Sequence, residues 1–266
     1  MIRVLTATWP VRGVRAFTTC RAGGVSRGAF ASLNLALHVG DDPSDVTTNR
    51  EIMARACGFD RQPLWLQQVH GQVVVDAGLS WTAPPEADGS FSTRRKVICA
   101  VLTADCLPVV LAAKDARAVA VLHAGWRGLA GGILESGVAA LPVPPAELVA
   151  WLGPAIGAGD YEVGDEVRRA FGDSAHAAFI VTSEGRYRAD LYALARLRLK
   201  ALGVTAVYGG GFNTFRDPDL YSYRQTPVCG RMATVAWIKT QLKLCGLTTD
   251  LAVGCETKAP VASRSG

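Results

Sequence analysis

The chain of 266 residues carries no basic run, no internal repeat, no low-complexity tract, no CxxC pair and only four histidines, and each shortage removes a class of function. Without a basic run, a formal charge of +5 suits a small anionic ligand better than a nucleic-acid surface, so no nucleic-acid partner is expected. The opening residues MIRVLTATWPVRGVRAF lack the long apolar stretch of a signal peptide, and the one long greasy segment, Val97 to Ala113, is interrupted by Asp105. A soluble, uncleaved protein without a membrane partner is the expectation. The seven cysteines, Cys20, Cys57, Cys99, Cys106, Cys229, Cys245 and Cys255, are odd in number and scattered, which argues against a disulfide framework and for a reducing compartment, the cytoplasm.

Hydrophobic residues are plentiful by contrast, and at 49% they can fill a sizeable core. The segments APPEADGS (83–90) and LPVPPAE (141–147) are Pro-rich breaks that read as loops. Strand-like runs of Val, Ile and Leu recur at 73–77, 97–102, 107–113, 117–122, 148–153, 204–209 and 232–238. Several lack polar alternation, which predicts burial on both faces. Helical patterns lie at 41–58 with Asp45 as cap, at 128–141, at 164–172, and at 190–203 between Asp190 as N-cap and Gly203 past the end. The sum is an α/β protein, an α/β sandwich with a mixed sheet. One catalytic domain is expected over 1–245, followed by a partly disordered C-terminal tail over 246–266, in a monomer or weak dimer.

The passage VLTADCLPVVLAAKDARAVAVLHAGWRG (101–128) is among the most apolar in the chain, yet it holds Asp105, Cys106 and His123. Buried polar groups need partners or a metal. A turn about Asp115 folds residues near 106 opposite residues near 123 or 124, so Cys106 and His123 meet at one open end. The glycines of HAGWRG leave room for a ligand or metal close to the backbone. His70, in WLQQVHGQVVV, adds a second imidazole beside a strand end. Two imidazoles and a thiolate form a three-ligand set for zinc with the fourth position open, and coordination would hold the Cys106 thiolate deprotonated. Without metal, the same Cys106 and His123 make a nucleophile and base pair, and the plainest reading of both is ordinary strand packing.

Several longer motifs, TTCRAGGVSRGAFASLNLALHVGDDPSDVTTNR, LQQVHG, TADCLPVVL, HAGWRGLAGGI, WLGPAIG, YEVGDEV and SYRQTPVCGRMATVAWI, together resemble the YfiH family, also called the multicopper polyphenol oxidase or laccase-domain family, from about Thr18 to Ile238. The resemblance implies that His70, Cys106 and His123 are zinc ligands, one zinc per chain, with copper as the alternative metal. It also implies a fold akin to a cytotoxic-necrotising-factor-like cysteine hydrolase. The implied activity is phosphorolysis of purine nucleosides, with adenosine deamination and methylthioadenosine phosphorolysis beside it, and bacterial relatives are linked to peptidoglycan editing. The chain departs from the pattern where relatives read Cys-Thr and this sequence has Asn213 and Thr214, and where Gln225 replaces a second arginine.

The flanking motifs supply the rest of a pocket. Arg21, Gly24, Ser26 and Asn34 surround a Gly-rich loop suited to an anion or a ribose, or to an ordinary turn. Arg127 lies near a helix N-terminus where phosphate is favoured, unless it pairs with Asp105 or Glu135. Asp105 is a partner for a ligand imidazole or a proton acceptor. Tyr223 offers a stacking face, or core packing, and Arg224 an anion contact. The H-x-E and P-C-x-x-C signature of zinc deaminases is missing, and four histidines are too few for the further copper cluster of a true laccase. The reading is a zinc-dependent purine nucleoside phosphorylase acting on nucleoside and phosphate; the alternatives are a cysteine hydrolase editing peptidoglycan precursors and a copper polyphenol oxidase. Metal analysis of the purified protein should find about one zinc per chain, and Cys106→Ser should remove most metal and activity; full activity in metal-free protein would transfer Cys106 to the nucleophile role.

Overall fold

The computed structural model describes residues 1–240 and the backbone of 255–257, so the tail expected over 246–266 otherwise lies outside the described residues. Along the chain run β1 (Ile2–Thr6), β2 (Val14–Thr19), α1 (Pro43–Cys57), β3 (Val74–Asp76), β4 (Gly89–Ser92), β5 (Cys99–Thr103), β6 (Leu107–Ala113) and β7 (Val119–Ala124). There follow α2 (Trp126–Gly131), α3 (Ile133–Ala140), β8 (Leu148–Leu152), β9 (Glu162–Gly164), α4 (Asp165–Phe171), β10 (Phe179–Ser183), β11 (Arg186–Ala189), α5 (Leu191–Ala201), β12 (Ala206–Gly209), β13 (Met232–Ile238) and β14 (Cys255–Thr257). One sheet has the order β12-β8-β6-β7-β4-β3, a second β14-β1-β2-β13-β5, and a small third β10-β11-β9. Parallel pairs (β12 with β8, β3 with β4, β1 with β14) sit among antiparallel ones, as expected of a mixed sheet.

Alternation along the central strands explains the layering. Val109, Leu111, Ala120 and Leu122 point to one face and pack on Leu129, Ile133, Leu134, Leu194 and Leu199 from α2, α3 and α5. Val110, Ala112, Val119 and Val121 point to the other face and meet Ala16, Cys99, Val101 and Ala236 from the second sheet. That second sheet turns its outer side, with Val4, Phe17 and Val235, to Met53 of α1 and to Leu33 and Leu35. Both faces of β6 and β7 are therefore covered, and every residue in them is buried. Among the described residues no helix is long and apolar enough to cross a membrane.

The structure corrects several expectations. The cap of α1 is Asp42, whose side chain accepts the Ser44 N–H at 2.8 Å, while Asp45 sits inside the first turn. The helix expected over 128–141 is two, separated at Gly132, whose φ of +114° interrupts the helical path. Seven strands, β1, β2, β4, β9, β10, β11 and β14, lie outside the segments expected from sequence; β10 carries the short apolar run Phe179-Ile180-Val181, yet exposes Ile180 and Val181. By contrast Asp190 caps α5 through the Ala193 N–H, as expected. Gly137 of α3 faces Leu122, and a Cβ there would lie 2.8 Å from Leu122 Cδ2 and 3.1 Å from Cγ. Gly137→Ala should lose up to about 2 kcal/mol in urea unfolding, since overpacking costs about 1–3 kcal/mol against the roughly 1 kcal/mol gained in helix propensity; a higher midpoint would contradict this packing.

Candidate active site

The hairpin of β6 and β7 pairs Leu107 with Ala124 and Pro108 with His123, which places Cys106, just ahead of β6, beside the end of β7. His70 arrives from the loop before β3. The ligand atoms of His70, Cys106 and His123 all lie within 4.8 Å of one another, and the two imidazole rings stand 4.8 Å apart edge to face. Gly125 explains the close approach, because a Cβ there would lie 3.0 Å from Cys106 Sγ and 3.1 Å from His70 Cδ2. Gly128, one turn on, has its Cβ position only 2.8 Å from the Gly71 carbonyl. The two glycines of HAGWRG let α2 press against both the donor set and the His70 loop.

A fully buried carboxylate, Asp88, holds the arrangement. It accepts backbone N–H groups from Val69 at 3.1 Å, His70 at 2.9 Å and Gly71 at 2.6 Å, wrapping the loop around itself. This stabilises the left-handed backbone of His70, whose φ is 61°. Its Oδ1 also stands 2.7 Å from His123 Nδ1, so that nitrogen carries the proton and Nε2 is left to the donor set. Burial alone would raise the Asp88 carboxyl, but the His123 hydrogen bond and the Gly71 and Val69 N–H groups hold it below the ordinary carboxylate range. Gln68 fastens the same loop to β5, donating to the Leu102 carbonyl at 2.9 Å and accepting its N–H at 2.7 Å.

Asp105 plays a different part from the one expected. The carboxylate that orients an imidazole is Asp88; Asp105 accepts the Thr214 hydroxyl at 2.6 Å and the Arg224 N–H at 2.7 Å, while its carbonyl accepts the Ile156 N–H at 3.0 Å. With φ of 91° it turns the chain between β5 and β6 and ties three loops around Cys106. Burial would raise the Cys106 thiol, yet the His123 charge and hydrogen bonds from both imidazoles bring it down to about 6. Burial would likewise lower His123, but the Cys106 thiolate and Asp88 carry it up to about 9.

The donor set opens into a cavity of about 500 Å³ lined among others by Trp126, Arg127, Ile156, Tyr161, Leu191, Tyr223, Arg224, Arg231 and His38. Of the residues expected here, His70, Asp105, Cys106, His123, Arg127, Tyr223 and Arg224 all reach this wall. Arg127 pairs with neither Asp105 nor Glu135; it lies over the Trp126 ring at 4.4 Å, and Glu135 pairs with Arg198 at 2.6 Å. Arg224 lies over the Tyr161 ring at 5.0 Å and donates to the Glu162 carbonyl at 2.6 Å.

Arg21, Gly24, Ser26 and Asn34 do not line the cavity. Arg21 donates to the Ala31 carbonyl at 3.0 Å, and Ser26 and Asn34 both donate to Asp41, at 2.6 and 2.9 Å. Gly24 has no room for a Cβ against Asn49 and Ser32. The loop binds itself and α1, and Asn34 Oδ1 accepts the Arg231 N–H at 2.9 Å from behind the cavity. Asn213 donates to Asp160 at 2.7 Å and accepts the Gly157 N–H at 3.0 Å, ordering the loop ahead of Tyr161, and Gln225 donates to the Phe215 carbonyl at 3.0 Å. Asp88, Arg231, Tyr161 and His38 were not singled out from sequence; Asp88 lies in APPEADGS, where only the Pro-rich loop signal was visible.

Residues 15–239 match a family model described as multi-copper polyphenol oxidoreductase laccase. The chain is 49% identical over 242 residues to a purine nucleoside phosphorylase of Pseudomonas aeruginosa, covering 88% of this chain and 98% of that one. It is 42% identical over 243 residues to the purine nucleoside phosphorylase YfiH of Escherichia coli K12, covering 90% and 100%. Among solved structures, a Neisseria meningitidis protein superposes with a TM-score of 0.86 at 48% identity over 90% of this chain and 100% of its own. YlmD from Geobacillus stearothermophilus gives 0.80 at 32% identity over 87% and 94%.

The protonation of the donor set yields a direct test. From about pH 6 to about pH 9 the pair stands as thiolate and imidazolium. Iodoacetamide labelling of Cys106 in metal-free protein, followed by peptide mass spectrometry, should rise as pH passes about 6 and level off above it. A rise only near the ordinary thiol value of about 8.5 would contradict the pairing.

Proposed function

This chain belongs to the laccase-like YfiH family, and from that premise we propose that it is a zinc-dependent purine nucleoside phosphorylase, cleaving adenosine, inosine or guanosine with phosphate to free base and ribose 1-phosphate. The observation that carries the reading is the meeting, in one cavity, of the His70, Cys106 and His123 donor set with arginines that have no carboxylate partner among the described residues. The donor set fits zinc: two imidazoles and a thiolate converge, Asp88 commits His123 Nδ1 elsewhere, and Gly125 leaves space beside them. Bound by these residues, zinc would supply a Lewis acid with one exchangeable position. A laccase needs more copper ligands than this, and among the described residues no second cluster of metal-capable side chains accompanies the first.

The chain's own residues divide the remaining work. Arg127, over the Trp126 ring, and Arg224, over the Tyr161 ring, line the same cavity as Cys106, and their guanidinium forks match phosphate oxygens. Tyr223, half exposed at the cavity wall, gives the purine a face to stack on. Trp126, Ile156 and Leu191 reduce water access to the ribose between them. Asp105 is a positioning residue, holding the Arg224 and Thr214 loops in register with Cys106. Residues 1–245 are taken as one catalytic domain, a reading supported by the core that the two large sheets share.

We propose that adenosine deamination, with water replacing the exocyclic amine and ammonia leaving, and methylthioadenosine phosphorolysis use the same cavity. A second reading, a cysteine hydrolase acting on peptidoglycan precursors, is favoured by the Asp88–His123–Cys106 hydrogen-bond chain, the order such a nucleophile requires, and by the implied kinship with cytotoxic-necrotising-factor-like hydrolases. Chromatography separates these reactions: inosine with phosphate should yield hypoxanthine and ribose 1-phosphate, adenosine without phosphate should release ammonia, and hydrolysis of a muropeptide precursor with neither nucleoside cleaved would favour the cysteine hydrolase. Arg127→Ala should raise the KM for phosphate about tenfold or more, since a charge-assisted hydrogen bond contributes about 1.5–3 kcal/mol; an unchanged phosphate dependence would remove Arg127 from the phosphate site.

A further inference from the structure

Arg231 is the third guanidinium on the cavity wall, and its aromatic neighbour differs from those of the other two. Arg127 lies over the Trp126 ring at 4.4 Å and Arg224 over the Tyr161 ring at 5.0 Å, whereas Arg231 lies over the Tyr223 ring, 5.7 Å from its centre, on a cavity wall it shares with His38. Its orientation is fixed from behind: the backbone N–H is held by Asn34 at 2.9 Å, and Nη1 donates to the carbonyls of Cys229 at 2.7 Å and Gly230 at 3.1 Å. Those bonds use one end of the guanidinium. The Nε–Nη2 edge, two parallel N–H donors, has neither a hydrogen-bond partner nor a carboxylate among the described residues. Burial, then the charges of Arg231 and Arg50 and the nearby His70, hold His38 below its ordinary value, so it stands there as a neutral imidazole.

An aligned, unpartnered pair of donors beside a half-exposed aromatic face selects its ligand by the acceptors it meets. In a 6-oxopurine, O6 and N7 are adjacent acceptors at the spacing a guanidinium edge bridges; in a 6-aminopurine, the amino group opposes a donor with a donor. We infer that Arg231 reads the O6/N7 edge of a base stacked on Tyr223, making inosine and guanosine, rather than adenosine, the preferred nucleosides. This inference rests on the phosphorylase reading for its substrate. The same contact favours the leaving base, because a guanidinium on O6 and N7 stabilises the negative charge the purine gains as its bond to the ribose breaks.

Binding of the free bases tests the inference without requiring turnover. Calorimetry in saturating inorganic phosphate should show hypoxanthine binding about fivefold or more tightly than adenine. In Arg231→Gln the ratio of the two dissociation constants should fall to near one. Arg231→Lys, which keeps the charge and loses the paired edge, should fall between, and it supplies the readout if the glutamine variant does not fold. Equal binding in the unmodified protein, adenine binding more tightly, or a ratio unchanged in both variants would overturn the assignment. A ratio that appears only when inorganic phosphate is absent would mark the edge as an anion site and overturn it as well. Kinetics separate the two proposals: cleavage of inosine and adenosine at equal kcat/KM sinks the preference and keeps the phosphorylase, while no cleavage of either sinks the phosphorylase and leaves the base-binding ratio to decide the Arg231 contact.

Discussion

One carboxylate organises this site. Asp88 gathers three consecutive N–H groups from the His70 loop and the Nδ1 proton of His123, so that a single buried negative charge shapes one donor's backbone and sets the other donor's tautomer. A charge buried this completely is tolerable only because its oxygens are satisfied by the protein itself. The dependence also runs the other way. Without that charge, the successive N–H groups of the loop would lack their common acceptor and the left-handed conformation of His70 would lose its support.

The two large sheets give this cluster its rigidity. Cys106 sits on the short link from β5, in one sheet, to β6, in the other, while His123 ends β7 beside β6. Asp105 then binds the link to loops carrying Thr214 and Arg224. The donor atoms thus belong to a junction between sheets, held by paired strands on either side. The groups expected to meet the ligand, Arg127, Tyr223 and Arg224, occupy helix and loop positions around that junction, an arrangement in which a stiff centre carries a more variable wall.

Legibility in the sequence followed the strength of local pattern. The hairpin of β6 and β7 was visible because both strands are apolar throughout and their connection is short, and this was enough to bring Cys106 beside His123. The position of His70 was not visible from spacing, because Asp88 brings it in through backbone N–H groups that leave no mark on side-chain composition. The Gly-rich loop of Arg21 and Asn34 looked like an anion cradle, since its residue types are those of one; Ser32, Asn49 and Asp41 occupy the polar groups instead. The small sheet escaped notice because its strands are only three to five residues long. Relatives of known name add the purine, a feature that spacing does not encode.

The position of β13 has a consequence for how the chain is made. This strand, residues 232–238, lies between β2, residues 14–19, and β5, residues 99–103, and hydrogen-bonds to both. On a ribosome adding roughly 5–20 residues per second, β2 and β5 must therefore wait for their shared neighbour, β2 for on the order of ten to forty seconds. During that interval each presents an unpaired, largely apolar edge of the kind that templates association with other chains. The SYRQ segment held by Asp105 emerges shortly before β13, so the strand that joins β2 to β5 and the loop that closes the cavity arrive together.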